Sequence, residues 1–421
     1  MLSDDTFLTD FHHVASIGAT PAGGIDRQAG SEPDRLVREW FTDFAHQRGW
    51  RVRRDEIGNL FALVEVVPGA PYVLVGSHLD SQPLGGRFDG AYGVIAALHA
   101  AQRFAQQVAD GRLSPVYNVA VVDWFNEEGG RFAPSIMGSS VFAGLMDAEQ
   151  MLAVTDLDGI SVREAMSAIG ALGTDPHPEI VAYAEIHIEQ GRVLERSGVA
   201  IGAVDFSWYT QKLDIEVLGE QSHTGATAMA DRRDALVAAS EVILAVHRIT
   251  RVASPEALVS SVGQLTLEPN SPIVVPRRVH LVADLRAERK ADVMAARDTL
   301  LGEITEVAQR YDVAINVTDV DIRDAQYYPD EGLDLTEKVA ADIGVSTQRL
   351  RTMAGHDSVA LNRVVPTVMM FVPSVDGVSH CEREFTADAD MVTGVDALTG
   401  VLVRLTEGAL DSVTPAGKAQ Q

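Results

Sequence analysis

Short apolar runs alternate along this chain with longer stretches of helical periodicity. Tyr72–Val75 is brief, largely β-branched and ended by Gly76, and it predicts a buried strand. Leu60–Val66 before it, Val116–Val122 after it and Thr367–Val372 near the C-terminal end are strand-like as well. Between them, the alanine-rich stretch Ala91–Ala101 and the stretch Ser139–Met151 predict helices. Leu36, Trp40, Phe41 and Phe44 fall at helical spacing behind Ser31-Glu32-Pro33, a capped start. Strands alternating with helices predict a layered α/β domain.

Near Trp208 the pattern changes. Gln211–Leu218 alternates like a half-exposed strand, Gly219–Met229 reads as a loop, and Asp231–Ile249 as an amphipathic helix. Strands follow around Leu258–Leu267 and Val279–Leu285, then a helix from about Lys290 to Tyr311 and a strand over Val313–Ile322. That order, β-α-β-β-α-β, is the one of a split, ferredoxin-like sandwich. It predicts a second domain over residues 208–327, inserted into an α/β domain made of 1–207 and 328–421. A short polar tail follows Ser412.

The chemistry gathers at the predicted strand ends. His78 and Asp80 stand two apart, so on an extended backbone both point to one side, and Asp89 opens the Ala91 helix. The next strand runs into Glu127-Glu128, adjacent carboxylates that diverge and so serve different tasks. In Ile180–Gly191, alternation puts Glu185, His187 and Glu189 on one polar face, and His380 follows the last strand. Carboxyl ends of strands are where open α/β sheets hold their sites. Taken singly, each is as readily a polar loop, a solvated Glu-Glu pair or a structural histidine. Together, His78, Asp89, Glu128, His187 and His380 make a nitrogen-and-carboxylate set suited to Zn²⁺, Mn²⁺, Co²⁺ or Ni²⁺. Five such ligands exceed the needs of one catalytic metal and fit two, about 3.5–4 Å apart, bridged by a carboxylate. Asp80 would accept the spare N–H of His78, and Glu127 would be the general base for a metal-bound water. This predicts metal-assisted hydrolysis of an amide-like bond.

Composition narrows the partners. Sixty acidic against 34 basic residues, a formal charge of -26, disfavour nucleic acid and anionic membranes. No run of about 18 apolar residues suggests a membrane span, and the acidic start lacks a signal-peptide pattern, so a cytoplasmic location is expected. The single Cys381 excludes an intrachain disulfide and a multi-thiolate zinc site. Glycine-rich nucleotide loops, a GxSxG elbow and HExxH are all missing from the sequence.

The segments GSHLDSQPLGGRFDG, NEEGGRFAPSIMGSS, HIEQG, HTGATAM, AGHD and PSVDGVSH resemble the M20 di-metal peptidase clan. More narrowly they resemble its hydantoinase/carbamoylase branch, which holds N-carbamoyl-L-amino-acid hydrolases, β-ureidopropionases and allantoate amidohydrolases. The resemblance implies a catalytic domain with two divalent metal ions and a lid domain that forms a homodimer. It implies one metal on His78, Asp89 and His187 and another on Asp89, Glu128 and His380, with Glu127 as base. It also implies His223, reaching over from the partner's lid, as oxyanion stabiliser, and Gln190, Asn270 and Arg286 as contacts to a small carboxylate-bearing substrate. Arg286 would pair bidentately with the substrate carboxylate. On the residues alone, His223 or Asn270 could merely shape a turn, and Arg286 could equally be a surface ion pair. Ala228 stands where many relatives have Pro, which implies a looser loop. Gln211-Lys212 stands where allantoate hydrolases tend to carry an extra Arg, which leans toward carbamoyl amino acids over allantoate, ureidoglycolate or N-acyl substrates. A metal-binding homologue without turnover is the non-enzymatic alternative.

Overall fold

The computed structural model describes residues 4–250 and 258–419. The chain forms two compact units, Met1–Phe206 with Tyr327–Gln421, and Ser207–Gln326. Strands are numbered along the chain. The first six are β1 (Arg51–Arg54), β2 (Leu60–Val64), β3 (Tyr72–His78), β4 (Asn118–Trp124), β5 (Ile180–Ile188) and β6 (Ile201–Ser207). In the second unit are β7 (Tyr209–Leu218), β8 (Ser222–His223), β9 (Leu258–Glu268), β10 (Val274–Val275), β11 (Arg278–Ala287) and β12 (Ala314–Arg323). The chain then returns through β13 (Gln326–Tyr327), β14 (Thr347–Thr352) and β15 (Thr367–Val372).

The first unit is a mixed α/β fold around one nine-stranded sheet, in the order β1-β2-β4-β3-β5-β15-β6-β13, with β14 also on β6. Its centre, β4-β3-β5-β15, is parallel throughout. The carboxyl ends of those four strands therefore open on one edge, as the site requires. β3 and β4 are buried at every residue, which is why they read as continuous apolar runs rather than alternations. Helices Asp4–Ser16, Ala91–Ala109 and Asp388–Thr406 contribute Phe7, Ile95, Leu98 and Leu398 to the core on one face. Phe61, Leu74, Trp124 and Tyr183 cluster with Leu361 in a separate core.

Several elements depart from the sequence reading. β3 continues through Gly76 to His78, so that histidine is the strand's last residue rather than part of the following loop. The strand expected at Val116–Val122 is β4, two residues further on. The helix expected over Ser139–Met151 is two short ones, Met137–Phe142 and Ala148–Leu152, because Gly144 turns left-handed and Asp147 caps the second. Leu36 is 41% exposed: the buried stripe of Glu32–Gln47 runs through Val37, Phe41 and Phe44 instead. The expected polar face of β5 is buried, since this strand lies between β3 and β15 and its charges are met inside the unit. Residues Ala416–Ala419 of the polar tail form a last helical turn, and Gln420 and Gln421 lie outside the described residues. No helix among the described residues is long and apolar enough to cross a membrane.

The second unit is a four-stranded antiparallel sheet, β12-β7-β11-β9, with helices Ala235–Ile249 and Lys290–Tyr311 packed against it. Leu213, Ile215, Leu281 and Leu285 meet Val242 and Leu300 in one core. The alternate positions of β7 and β11 are only partly buried and carry ion pairs, among them His280–Asp214 and Arg278–Glu216. Leu281 is fully buried on β11, paired with Ile215 of β7 and Leu265 of β9. Leu281→Ala is expected to destabilise this unit by about 2–5 kcal/mol, seen as an earlier denaturant transition of the full chain.

Candidate di-metal centre

At the end of β3, the chain must turn sharply while presenting two functional side chains. Leu79, between His78 and Asp80, is held from both sides: its N–H donates to Asp123 (2.9 Å) and its carbonyl accepts from the buried Arg27 (2.6 Å). His78 Nδ1 then faces the Asp80 main-chain carbonyl at 3.0 Å, which directs Nε2 inward. The Asp80 carboxylate was expected to take that N–H. It lies 3.6 Å away and accepts instead from the backbone N–H groups of Glu127 (3.1 Å) and Glu128 (3.3 Å). Asp80 thus ties the end of β3 to the loop after β4, while its carbonyl orients the imidazole.

On β5, His187 Nδ1 faces the carbonyl of Ile188 at 2.8 Å, and its Nε2 accepts the N–H of Gly90 (3.0 Å). Gly90 has φ +55°, and a Cβ there would lie 2.3 Å from the His78 ring, so only glycine fits. Asp89 stands between the histidines: Oδ1 is 2.8 Å from His187 Nε2 and 3.5 Å from His78 Nε2, and Oδ2 is 3.2 Å from His380 Nε2. His380 Nε2 is also 3.4 Å from Glu128 Oε2. Two groups result, His78–Asp89–His187 and Asp89–Glu128–His380, each with ligand atoms within 4.8 Å of one another and sharing Asp89. Glu127 belongs to neither group; its Oε2 is 3.5 Å from His78 Nε2. Gln190, with left-handed φ +57°, donates to Asp89 Oδ2 (2.7 Å) and to Ser379 Oγ (3.1 Å).

Burial raises Glu127 to about 8; His78 opposes the shift, while Glu128, Asp89 and Asp80 reinforce it. Burial also raises Glu128, with Asp89 adding to the effect. For Asp89, burial works upward but His187, His380 and His78 prevail and hold it well below the usual carboxylate range. Burial disfavours a charged His78, yet Glu127 and its neighbouring aspartates carry its pKa well above the ordinary value. Buried carboxylates this close together concentrate negative charge that a cation would offset. The donors are imidazoles and carboxylates without a thiolate, and two of the imidazoles are fixed through Nδ1 with Nε2 turned inward, so the residues fit two divalent cations.

The second unit holds the remaining expected residues. His223 is exposed, and its Nδ1 accepts N–H groups of Gly225 (3.0 Å) and Ala226 (3.1 Å), which leaves the proton on Nε2. Asn270 is exposed in the loop after β9. Arg286 on β11 pairs with Asp284, Nη2 to Oδ2 at 2.7 Å. The loop that Ala228 was expected to loosen is tied by Arg232, whose guanidinium donates to the carbonyls of Thr224 and Thr227.

Sequence reasoning did not find Gln82, which donates its backbone and side-chain N–H groups to the Glu128 carboxylate (3.1 and 2.9 Å). It also did not find Glu384, whose carboxylate accepts from the loop carrying Asp89. The His356 ring packs with its centroid 4.6 Å from that of His187. No local pattern marks these residues, since their partners are far away in sequence. A third cluster, Asp55, Glu56 and His177, is a turn cap: Asp55 accepts the N–H groups of Gly58 and Asn59.

A mixed α/β unit whose parallel central strands bring two imidazole–carboxylate groups together is a candidate metal centre, and the comparisons with known proteins place the chain in a family. The sequence profile of peptidase family M20/M25/M40 matches residues 74–404. A protein of Mycolicibacterium smegmatis named only as a hydrolase is 49% identical over 97% of this chain and 94% of its own length. The N-carbamoyl-L-amino-acid amidohydrolase of Rhizobium meliloti is 32% identical over 96% of each chain. The crystal structure of a hydantoinase/carbamoylase family amidase from Burkholderia vietnamiensis superposes with a TM-score of 0.92, at 33% identity over 96% of this chain and 98% of that one. The chain belongs to peptidase family M20/M25/M40, in its hydantoinase/carbamoylase branch. It is a hydrolase acting on carbon–nitrogen bonds other than peptide bonds.

Proposed function

We propose that this enzyme hydrolyses the carbamoyl C–N bond of an N-carbamoyl amino acid, consuming one water and yielding the amino acid, ammonia and CO₂. The observation that carries this reading is the pair of groups sharing Asp89, with Glu127 beside them and outside both. His78, Asp89 and His187 would hold one divalent cation, and Asp89, Glu128 and His380 the other, as zinc, manganese, cobalt or nickel. When bound, the cations supply Lewis-acid activation of the water and of the scissile carbonyl. Glu127 takes the proton of the attacking water and returns it to the leaving amino nitrogen. Gln190 holds the Asp89 carboxylate in place through its N–H₂ group and offers its amide oxygen to the substrate.

The second unit acts as a ferredoxin-like lid and as the dimerisation domain of a cytoplasmic homodimer. His223 of the partner subunit donates Nε2–H to the oxyanion, with its tautomer set by the Gly225 and Ala226 N–H groups. Asn270 and Arg286 bind the substrate carboxylate. Gln211 donates to Asp319 (2.7 Å) and Lys212 pairs with Asp321 (2.7 Å). Both side chains are thus spent on β12, which favours a carbamoyl amino acid over allantoate. Arg286→Ala is expected to raise KM about 10–150-fold with a smaller change in kcat, the loss of one charge-assisted pair.

The test is ammonia release from a panel of N-carbamoyl-L-α-amino acids, N-carbamoyl-β-alanine, allantoate, ureidoglycolate and N-acyl amino acids, using metal-loaded protein. The highest kcat/KM is expected on an N-carbamoyl-L-α-amino acid. A clear preference for allantoate or an N-acyl substrate would replace this assignment, and zero turnover throughout with two metals bound would point to a binding protein.

A further inference from the structure

Glu384 is a buried carboxylate, 3% exposed, that belongs to neither metal group. Its Oε1 accepts the N–H groups of Phe88 (3.1 Å) and Asp89 (3.0 Å), across almost 300 residues of sequence. Its Oε2 accepts the hydroxyl of Ser379 (2.8 Å), the residue before His380. Ser379 Oγ in turn lies 3.3 Å from Asp89 Oδ2, and Gln190 Nε2 donates to both. These contacts close a ring joining the backbone and carboxylate of Asp89 to the residue that carries His380. The space for Glu384 is made by Gly86, where a Cβ would lie 1.9 Å from Oε1. Burying a carboxylate is costly unless donors converge on it, and here three do.

The two metal groups are unequally supported. His78 and His187 are buried, each fixed through Nδ1 by a main-chain carbonyl. The His380 side chain is half exposed on a left-handed backbone, φ +54°. The bonds around it run from Ser379 to Glu384, Gln190 and Asp89.

We propose that Glu384 is a positioning residue that sets the spacing of Asp89 and His380, and thereby governs retention of the cation at Asp89–Glu128–His380 separately from the one at His78–Asp89–His187. This rests on the two-cation reading given above. Glutamine at position 384 would keep the shape, but it is neutral: its one oxygen can serve the backbone N–H groups, while its amide N–H₂ would turn the Ser379 hydroxyl from donor to acceptor, replacing the charge-assisted bonds that hold the ring. Partners that orient metal ligands typically change affinity by about 10–100-fold when removed.

The experiment uses the zinc-loaded full chain, dialysed against graded chelator, with zinc per chain counted by elemental analysis. In Glu384→Gln, one of the two ions is expected to leave at a chelator concentration about 10–100-fold lower than in the wild type, while the other is retained as in the wild type. Ser379→Ala removes one arm of the ring and is expected to shift the same ion in the same direction by less; it carries the test if Glu384→Gln does not fold. Glu384→Asp, which keeps the charge, should fall between wild type and Glu384→Gln. Unchanged retention in the folded variants, or equal weakening of both ions, overturns the proposal. A wild type that never holds more than one ion overturns the two-cation reading itself, and this proposal with it.

Discussion

Glu127→Gln is expected to lower kcat by about 10²–10⁴-fold while both cations remain bound, the range for loss of a positioned general base. The side chain sits 3.5 Å from His78 Nε2, yet it is not a member of either ligand group, so the amide can occupy its place without disturbing the metals. Glutamine cannot accept the proton of the attacking water or hand one to the leaving nitrogen. The sign of the pH dependence follows from the same carboxylate. Burial among the protein's own groups raises it to about 8. Cations beside it favour the charged form and lower that value. Activity should therefore fall on the acidic side as Glu127 protonates, with the midpoint of that limb below 8 in the loaded enzyme. Turnover and metal content measured on the same Glu127→Gln preparation check both halves of the expectation. Near-full activity in this variant would remove Glu127 from the mechanism.

Asp89→Asn is expected to weaken both metal sites together and to lower activity by more than about 100-fold. Every other residue of the two groups belongs to one of them, whereas Asp89 gives Oδ1 toward His187 and His78 and Oδ2 toward His380. Asparagine supplies one neutral oxygen and an amide N–H₂, which cannot face a cation. Orienting partners alone change metal affinity by about 10–100-fold, so losing a shared charged ligand should exceed that range. Metal titration separates the outcomes. Simultaneous weakening of both ions supports the shared role, and retention of one ion at wild-type affinity contradicts it. The contrast with Glu384→Gln, where only one ion should weaken, makes the two variants informative together.

The main features of the candidate site were legible because its imidazoles and carboxylates stand at or near the ends of core strands. Such strands are apolar runs with abrupt endings, and a His or Glu at or just past the ending draws notice: His78 as the last residue of β3, Glu127-Glu128 after β4, His380 after β15. His187 is a different case. It sits inside β5, and alternation suggested a polar face where the structure has burial on both sides. Glu185 explains the discrepancy, since its carboxylate accepts from Ser77 (2.8 Å) and from the N–H of Ser358 (2.9 Å), so the polar row is satisfied internally. The role expected for the Asp80 carboxylate shifted for a related reason. A sequence shows that His78 and Asp80 share a side, but not that the nearer Asp80 carbonyl would face the imidazole. Gln82, Ser379 and Glu384 were invisible, being ordinary polar loop residues whose significance lies in contacts spanning tens to hundreds of positions. Helix boundaries failed where one residue decides them, as Gly144 does in splitting Ser139–Met151.

The most direct test of a two-cation amidohydrolase is ammonia release from an N-carbamoyl-L-amino acid by the intact protein, followed through complete chelation and metal restoration. Ammonia and amino acid should form in equal amounts, stop when the cations are removed, and resume as divalent ions refill two sites per chain. Release that continues at full rate in protein shown to be free of metal would contradict the account.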